Sequence, residues 1–463
     1  MKKIAIVPID NRPICYNLIS DICAQDENIE LHLPKREDLG GLTKSANIEN
    51  IFLWLENLPE VDFIILSLDT LAYGGLVNSR RCPETCDKIL LRIKRLEKII
   101  TRQNAKIYAF SSIMRISNNS INEEEKEYWN PWGKKIFEYS YNLHKSRRLY
   151  EANCVINTVP KEILEDYIAT RKRNFIVNNY YLELAKKNII NTLIFSKDDC
   201  AEFGLNVEEA EKLAKASEGY DNILIKTGAD EIPLTLLAKA IVGDKKISVQ
   251  TIFAYENSKN KISKYEDIAL VNCVKGQLAL AGVEIKENAD LIFYINNFEH
   301  EQGDHVLGEE NKSNLKHNLN FKKPYFIADV NNANGADNNF IKNIFDNGTN
   351  NNFLGYSGYN TSANSIGSVI CMALVKYLAQ KPDEKAFKKL NSIRFLDDWA
   401  YQANIRRNVR LKGEELGKFE IEPFAKEFQP FEDVIKEYFN YNYKTRYSLP
   451  WSRSFEIEIN IND

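Results

Sequence analysis

The feature that most constrains this chain is a repeated pattern: a short, near-continuous apolar run, a polar or glycine-bearing turn, then a helical stretch. The clearest runs are Ile4–Ile9, Ile29–Leu33, Phe63–Leu68, Ile107–Phe110, Thr192–Phe195, Ile223–Ile225, Val249–Ala254, Leu291–Ile295, Tyr325–Ala328 and Phe353–Tyr356. Strands this apolar are buried on both faces, and their alternation with helices predicts an α/β fold built on parallel sheet. At 463 residues the chain is long enough for one large barrel with insertions or for two to three domains. The expected architecture is a (β/α)8 TIM-barrel-like domain with insertions, and the alternative is two Rossmann-like α/β domains.

The expected layout places the first part of the barrel in residues 1–117, a helical insertion in 118–188 and the barrel continued in 189–245. An inserted α/β subdomain follows in 246–320, the barrel is completed in 321–384, and 385–463 form a helical C-terminal extension ending in an edge strand. Ile89, Ile93, Leu96 and Ile100 lie at helical spacing with Lys and Arg on the opposite face. Asn206 followed by Glu209 reads as a capping box opening a helix, with Gly219 as its stop. Ser365–Leu378 is apolar on most sides and reads as a buried helix. Alternation over Phe455–Ile459 reads as the edge strand, and the Asn-rich run Asn347–Asn352 as a loop.

Charge excludes some partners. Sixty-one Lys and Arg oppose 65 Asp and Glu, for a formal net charge of −4, so no basic footprint for nucleic acid or anionic lipid is present. No segment approaches the run of about 18 apolar residues that spans a bilayer, and Ile4–Val7 is too short for a signal peptide. Neither a nucleic-acid nor a membrane partner is expected. The eight cysteines are scattered, as in a reducing compartment, and a cytoplasmic location is the expectation. Cys82 and Cys86 flank Pro-Glu-Thr with no second pair at zinc spacing.

The strand ends carry the functional signal. In parallel α/β folds the carboxyl ends of the strands open onto one face, where sites are built. Here they carry Asp10-Asn11-Arg12, Asp69-Thr70-Leu71-Ala72-Tyr73, Ser112-Ile113-Met114-Arg115, Lys197-Asp198-Asp199 and Gly228-Ala229-Asp230-Glu231. Later ends carry Asn331, Asn334, Asp337 and Asn360. A single Asp after a strand is ordinarily a turn or helix-cap residue. Asp198 and Asp199 stand apart because adjacent carboxylates raise one another's pKa, a cost that a catalytic task or a bound cation explains. They are the expected catalytic residues; Asp10, Arg12, Asp69, Tyr73, Arg115, Asp230, Glu231, Asn331, Asn334, Asp337 and Asn360 are the expected substrate contacts.

Several chemistries are disfavoured. No Walker-type phosphate loop, no Gly-rich dinucleotide fingerprint after the first strand and no Gly-x-Ser-x-Gly elbow occurs. His300 and His305 flank Glu301 and Asp304 without the spacing of a zinc helix, and the loop reads as solvated. What remains is carboxylate, amide and arginine chemistry, suited to glycoside cleavage or to a hard cation held by oxygen ligands.

The ordered set Pro8-Ile9-Asp10-Asn11-Arg12-Pro13, Ser67–Leu76, Ser112–Arg115, Lys197-Asp198-Asp199, Gly228–Glu231, Asn334–Asp337, Gly358–Thr361, Asp397–Gln402 and Pro450–Arg453 resembles a bacterial family known only as domain of unknown function 4127. The resemblance covers nearly the whole chain and departs at Asn11 and Tyr359, where the family pattern has Asp and Trp. It implies no activity. A looser similarity is to O-GlcNAcase-like glycosidases, which use the substrate's own acetamido group. That likeness implies Asp198 polarising the acetamido group and Asp199 as general acid, with Asn331, Asn334 or Asn360 on the sugar and Tyr73 and Trp129 stacking against it. The leading expectation is therefore a glycoside hydrolase acting on a sugar, with an N-acetylhexosaminide as the specific case and no cofactor. One alternative is a hydrolase or transferase using magnesium or calcium on the same carboxylates. The other is a noncatalytic carbohydrate-binding protein. A small-molecule or carbohydrate partner is common to all three.

Overall fold

Each expected apolar run forms a strand in the computed structural model, which describes residues 1–149, 158–198, 200–348 and 351–462. In chain order the strands are β1 (Lys2–Val7), β2 (Ile29–His32), β3 (Phe63–Ser67), β4 (Lys106–Ile113), β5 (Thr192–Lys197), β6 (Ile223–Thr227), β7 (Ile247–Phe253), β8 (Val283–Ile285) and β9 (Leu291–Asn296). They continue with β10 (Gly303–Asp304), β11 (Tyr325–Asp329), β12 (Asn332–Ala333), β13 (Phe353–Ser357), β14 (Lys444–Ser448) and β15 (Glu458–Asn462). The chain divides into two compact units, residues 1–11 with 30–233, and residues 12–29 with 234–463.

The first unit holds a six-stranded sheet in the order β2-β1-β3-β4-β5-β6. Ile4 pairs with Phe63, Ile64 with Ile107, Phe110 with Ile194 and Leu193 with Ile223, all in parallel register. Every residue of β3 is buried, which is why it reads as a continuous apolar run. The second unit holds a five-stranded sheet in the order β13-β11-β9-β7-β8, also parallel. Small pairs β10–β12 and β14–β15 accompany it, the latter antiparallel.

These strands do not make one closed eight-stranded barrel. Closure requires the last strand to bond back to the first, whereas β6 ends one sheet and β7 lies inside another. The two-sheet arrangement weighed as the alternative fits these orders. The sequence pattern is the same in both cases, because a strand buried between helices looks alike in a barrel and in an open sheet.

Local signals mostly hold. The helix Cys86–Thr101 buries Ile89, Ile93, Leu96 and Ile100, and Thr85 caps it by accepting from the Lys88 amide. Two long helices, Trp129–Leu149 and Lys161–Lys186, follow β4. The buried helix runs over Ser362–Leu378, and its residues from Ser362 to Val375 are all buried. The Asn-rich run includes residues 349 and 350, outside the described residues. The final strand is Glu458–Asn462, shifted from the expected Phe455–Ile459.

The capping box is a correction. The helix Leu205–Ala216 starts ahead of Asn206, and Gly204 stands at its cap without a side-chain bond. Its first amides are satisfied from the Trp129–Leu149 helix instead: Ser140 Oγ accepts from Leu205 N at 2.8 Å, and His144 Nδ1 from Gly204 N at 3.1 Å. Asn206 and Glu209 are thereby released to bond Cys200 and Arg171. Among the described residues no helix is long and apolar enough to cross a membrane.

Candidate active site

The carboxyl edge of the first sheet gathers the strongest cluster. Thr70 Oγ1 donates within reach of the Pro8 and Ile9 carbonyls, at 2.9 and 2.7 Å, which ties the helix Leu68–Tyr73 after β3 to the turn after β1. Asp10 lies on the turn after β1 and Asp69 in the first turn of the helix Leu68–Tyr73 that follows β3, each 3% exposed. Asp69 Oδ2 accepts from the Ser112 amide at 2.7 Å, linking this helix to the end of β4. Burial dominates over these hydrogen bonds and over the charge of Arg80, and pushes the Asp69 carboxyl up to about 7.

Asp198 follows β5, and its side chain is 22% exposed. Arg115 Nη1 stands 3.5 Å from Asp198 Oδ2. Burial raises the Asp198 carboxyl above its ordinary value; Arg115 and Arg80 pull it down, while Asp230 and Glu124 push it further up. Two arginines and two glutamates support this arrangement. Arg80 donates to Glu125 at 2.6 Å, and Arg115 donates to Glu125 at 3.2 Å and to Glu124 at 2.9 Å. Arg80 and Glu125 are buried, so their mutual charge is fixed in a low-dielectric setting rather than lost to solvent.

Asp230 is buried near Asp198, while its neighbour Glu231 serves the turn itself. Glu231 Oε2 accepts from the Ala229 amide at 3.0 Å. Gly228, at φ +117°, permits this, because an added Cβ would sit 1.7 Å from Glu231 Oε1. Tyr73 is 3% exposed, with the Arg173 guanidinium over its ring at 5.3 Å. Trp129 is 1% exposed and packs on Tyr167. Neither ring presents a face to a sugar: both belong to the core. Asp199 lies outside the described residues.

The remaining expected contacts belong to the second unit, where most are framework. Asp337 caps the helix Asn338–Asp346 through Oδ1 and accepts from Asn331 Nδ2 at 2.7 Å and Ser313 N at 3.0 Å through Oδ2. Asn334, at φ +61°, donates its amide to the Asn360 carbonyl at 2.7 Å and its side chain to Asp304 at 3.2 Å. Asn360 is itself left-handed, at φ +52°. Arg12 Nη1 lies 3.3 Å from Glu456, which Arg453 also grips at 2.7 and 2.9 Å.

This unit also holds buried carboxylates that sequence reasoning did not single out as site residues. Asp329 ends β11 and accepts from Asn296 at 2.8 Å, the Asp337 amide at 2.8 Å and Tyr356 at 3.0 Å. Burial and the charge of Asp337 push it up to about 7. Asp398 accepts from the Gly358 amide at 2.7 Å and is also raised to about 7, by burial against the pull of Arg394. The available signal for Asp398 was the adjacent pair Asp397-Asp398. Arg80 carried none, because an arginine within Leu76–Arg81 reads as a solvated helix face. Among the described residues no group of three or more His, Cys, Asp or Glu is placed to hold a metal ion.

Fold and site together define an α/β protein with two parallel sheets and a carboxylate–arginine centre at the edge of the first. More particularly, the chain belongs to the family of proteins of unknown function DUF4127, whose model matches residues 4–460. No curated protein matches it.

Proposed function

We propose that this chain is a glycoside hydrolase whose reacting carboxylates lie at the end of β5. The observation that carries the reading is Asp198: partly exposed, at the carboxyl edge of a parallel sheet, raised by burial and bracketed by Asp230 and Arg115. A glycosidic bond needs one carboxyl that holds a proton near neutral pH and a second that stays ionised. Neighbouring carboxyls whose environments push them apart meet that need. On an N-acetylhexosaminide, the likeness to O-GlcNAcase-like enzymes puts Asp198 on the acetamido group and Asp199 on the leaving oxygen; the raised Asp198 favours the reverse, with Asp198 protonating the leaving oxygen and Asp199 polarising the acetamido group. A divalent cation on the same carboxylates is the weaker reading, since Arg80 and Arg115 already bring positive charge to them.

A screen of aryl glycosides, with and without added magnesium and then with chelator, tests this directly. Turnover of at least one sugar is expected, independent of chelator. Asp198→Asn should lower kcat/KM by on the order of a hundredfold or more while circular dichroism and Tm stay near the parent's. Full activity in Asp198→Asn, or no turnover on any glycoside, sinks the proposal.

A further inference from the structure

The helix Arg406–Leu416 continues directly from the π-helical segment Phe395–Ile405 in the second unit. Its first turns place Arg406, Arg407 and Arg410 along a cavity of about 240 Å3 that His305, Glu310 and Asn404 also line. We propose that this cavity binds a phosphate group, free or carried on a small molecule, seated on the guanidinium of Arg406.

Arg406 is only 8% exposed. A buried guanidinium is ordinarily matched by a carboxylate, because desolvating an unpaired charge is costly. Among the described residues its partners are neutral: Nη1 donates to Gln402 Oε1 at 2.9 Å, and the Phe455 ring lies 4.5 Å away. The nearby carboxylate of Glu456 is already held by Arg12 and Arg453. Burial pulls the Arg406 pKa down, with Arg410 adding to it, and Tyr401 and Glu456 only partly oppose this.

The guanidinium is also held in place from behind. Gln402 donates to Asp397 at 3.1 Å, and Asp397 is paired with the buried Arg394. This line of bonds fixes the orientation of Arg406 without neutralising it, which is how preorganised anion sites are built. Arg410 adds a second imperfectly matched cation. Its Nη1 donates to the Val306 carbonyl at 3.3 Å, while its buried Nε has no hydrogen-bond partner among the described residues and lies 3.8 Å from Glu414.

Three guanidiniums line the cavity against the lining carboxylate of Glu310, and Arg410 is also paired with Glu414, so the balance is 3 − 2 = +1 and the cavity is net positive. His305 contributes a polar group rather than a charge, because burial lowers its pKa and Nε2 is engaged with the Ala336 carbonyl at 2.9 Å. Several guanidiniums on one wall suit a group that offers three acceptor oxygens at once, as a phosphate does, better than the two oxygens of a carboxylate. The volume equals that of on the order of eight waters of liquid. That accommodates a phosphate with a small organic group attached.

Isothermal titration of the full chain with inorganic phosphate, glycerol 3-phosphate and acetate at matched ionic strength tests the assignment. Saturable binding of at least one phosphate probe is expected, with acetate weaker by roughly tenfold or more. Glycerol 3-phosphate binding more tightly than inorganic phosphate identifies a carried phosphate, and the reverse order a free one; both support the site. Arg406→Gln should weaken the phosphate probes by roughly tenfold or more. Arg407→Gln, at an exposed position that leaves folding intact, should weaken them several-fold, while the exposed Arg102→Gln in the first unit leaves them unchanged. Failure of both phosphate probes to saturate overturns the assignment, as does acetate binding equally well or Arg102→Gln weakening binding as much as Arg407→Gln.

Discussion

At the scale of single residues, the electrostatics between Asp198 and Arg115 can be tested by substitution. Arg115 is one of the positive charges holding the Asp198 carboxyl down against burial. Removing it in Arg115→Gln must move that carboxyl upward, so the limb of the kcat/KM profile that reports Asp198 shifts to higher pH. An unmoved limb would separate Asp198 from the pH dependence. The strand-end position of Asp198 was legible from the apolar run before it, and so was that of Asp69. What sequence could not separate was Asp198 from Asp337. Both follow strands in polar company, yet Asp337 is consumed by Ser313, Asn331 and a helix cap, and Asp198 stays partly exposed. The deciding partner, Ser313, lies in a different loop and precedes Asp337 by 24 residues, where no local pattern reaches.

At the scale of elements, the helix Leu205–Ala216 shows how a correct helix can be reached through the wrong cap. The Asn206–Glu209 spacing marks a real helix start to within a residue or two, but the caps come from Ser140 and His144 on another helix. Ser140→Ala therefore leaves the Leu205 amide without its acceptor and should lower stability by about 1 kcal/mol, read as a shift in the urea midpoint at unchanged slope. An unchanged midpoint would return the capping role to the local sequence. The strands were legible because burial on both faces removes alternation and leaves apolar runs. Their assignment to two sheets was not, because the choice between barrel and open sheet is made by which strands pair. The pairing β7–β9 skips a strand in sequence, and no run of residues advertises that.

Across the whole molecule, both sheets carry a buried carboxyl of near-neutral pKa near their strand ends: Asp69 in the first unit, and Asp329 with Asp398 in the second. Burial pushes each up to about 7 in the fold, from an ordinary 3.8. Between these limits the native state binds more protons than the unfolded chain. Stability contributed at low pH is therefore lost as pH rises through that interval, and the loss is complete above it. Carboxylates lowered by ion pairs, such as Glu84 and Asp166, act in the opposite sense, but only below their ordinary values, 4.5 and 3.8. His317, lowered by burial from 6.5 to about 4, also opposes the trend; its effect ends once the unfolded imidazole has titrated. The three carboxyls outweigh the one imidazole throughout, so the net fall is already under way at about pH 5 and levels off as pH passes about 7. Urea midpoints taken from about pH 5 to about pH 8 should decline by an amount worth a few kcal/mol. Asp329→Asn, which cannot ionise, should flatten the decline without abolishing it, since Asp69 and Asp398 remain. Midpoints that rise with pH above about 6.5, or a slope untouched by Asp329→Asn, would show that these carboxyls are ionised in the native protein and held by their hydrogen bonds instead.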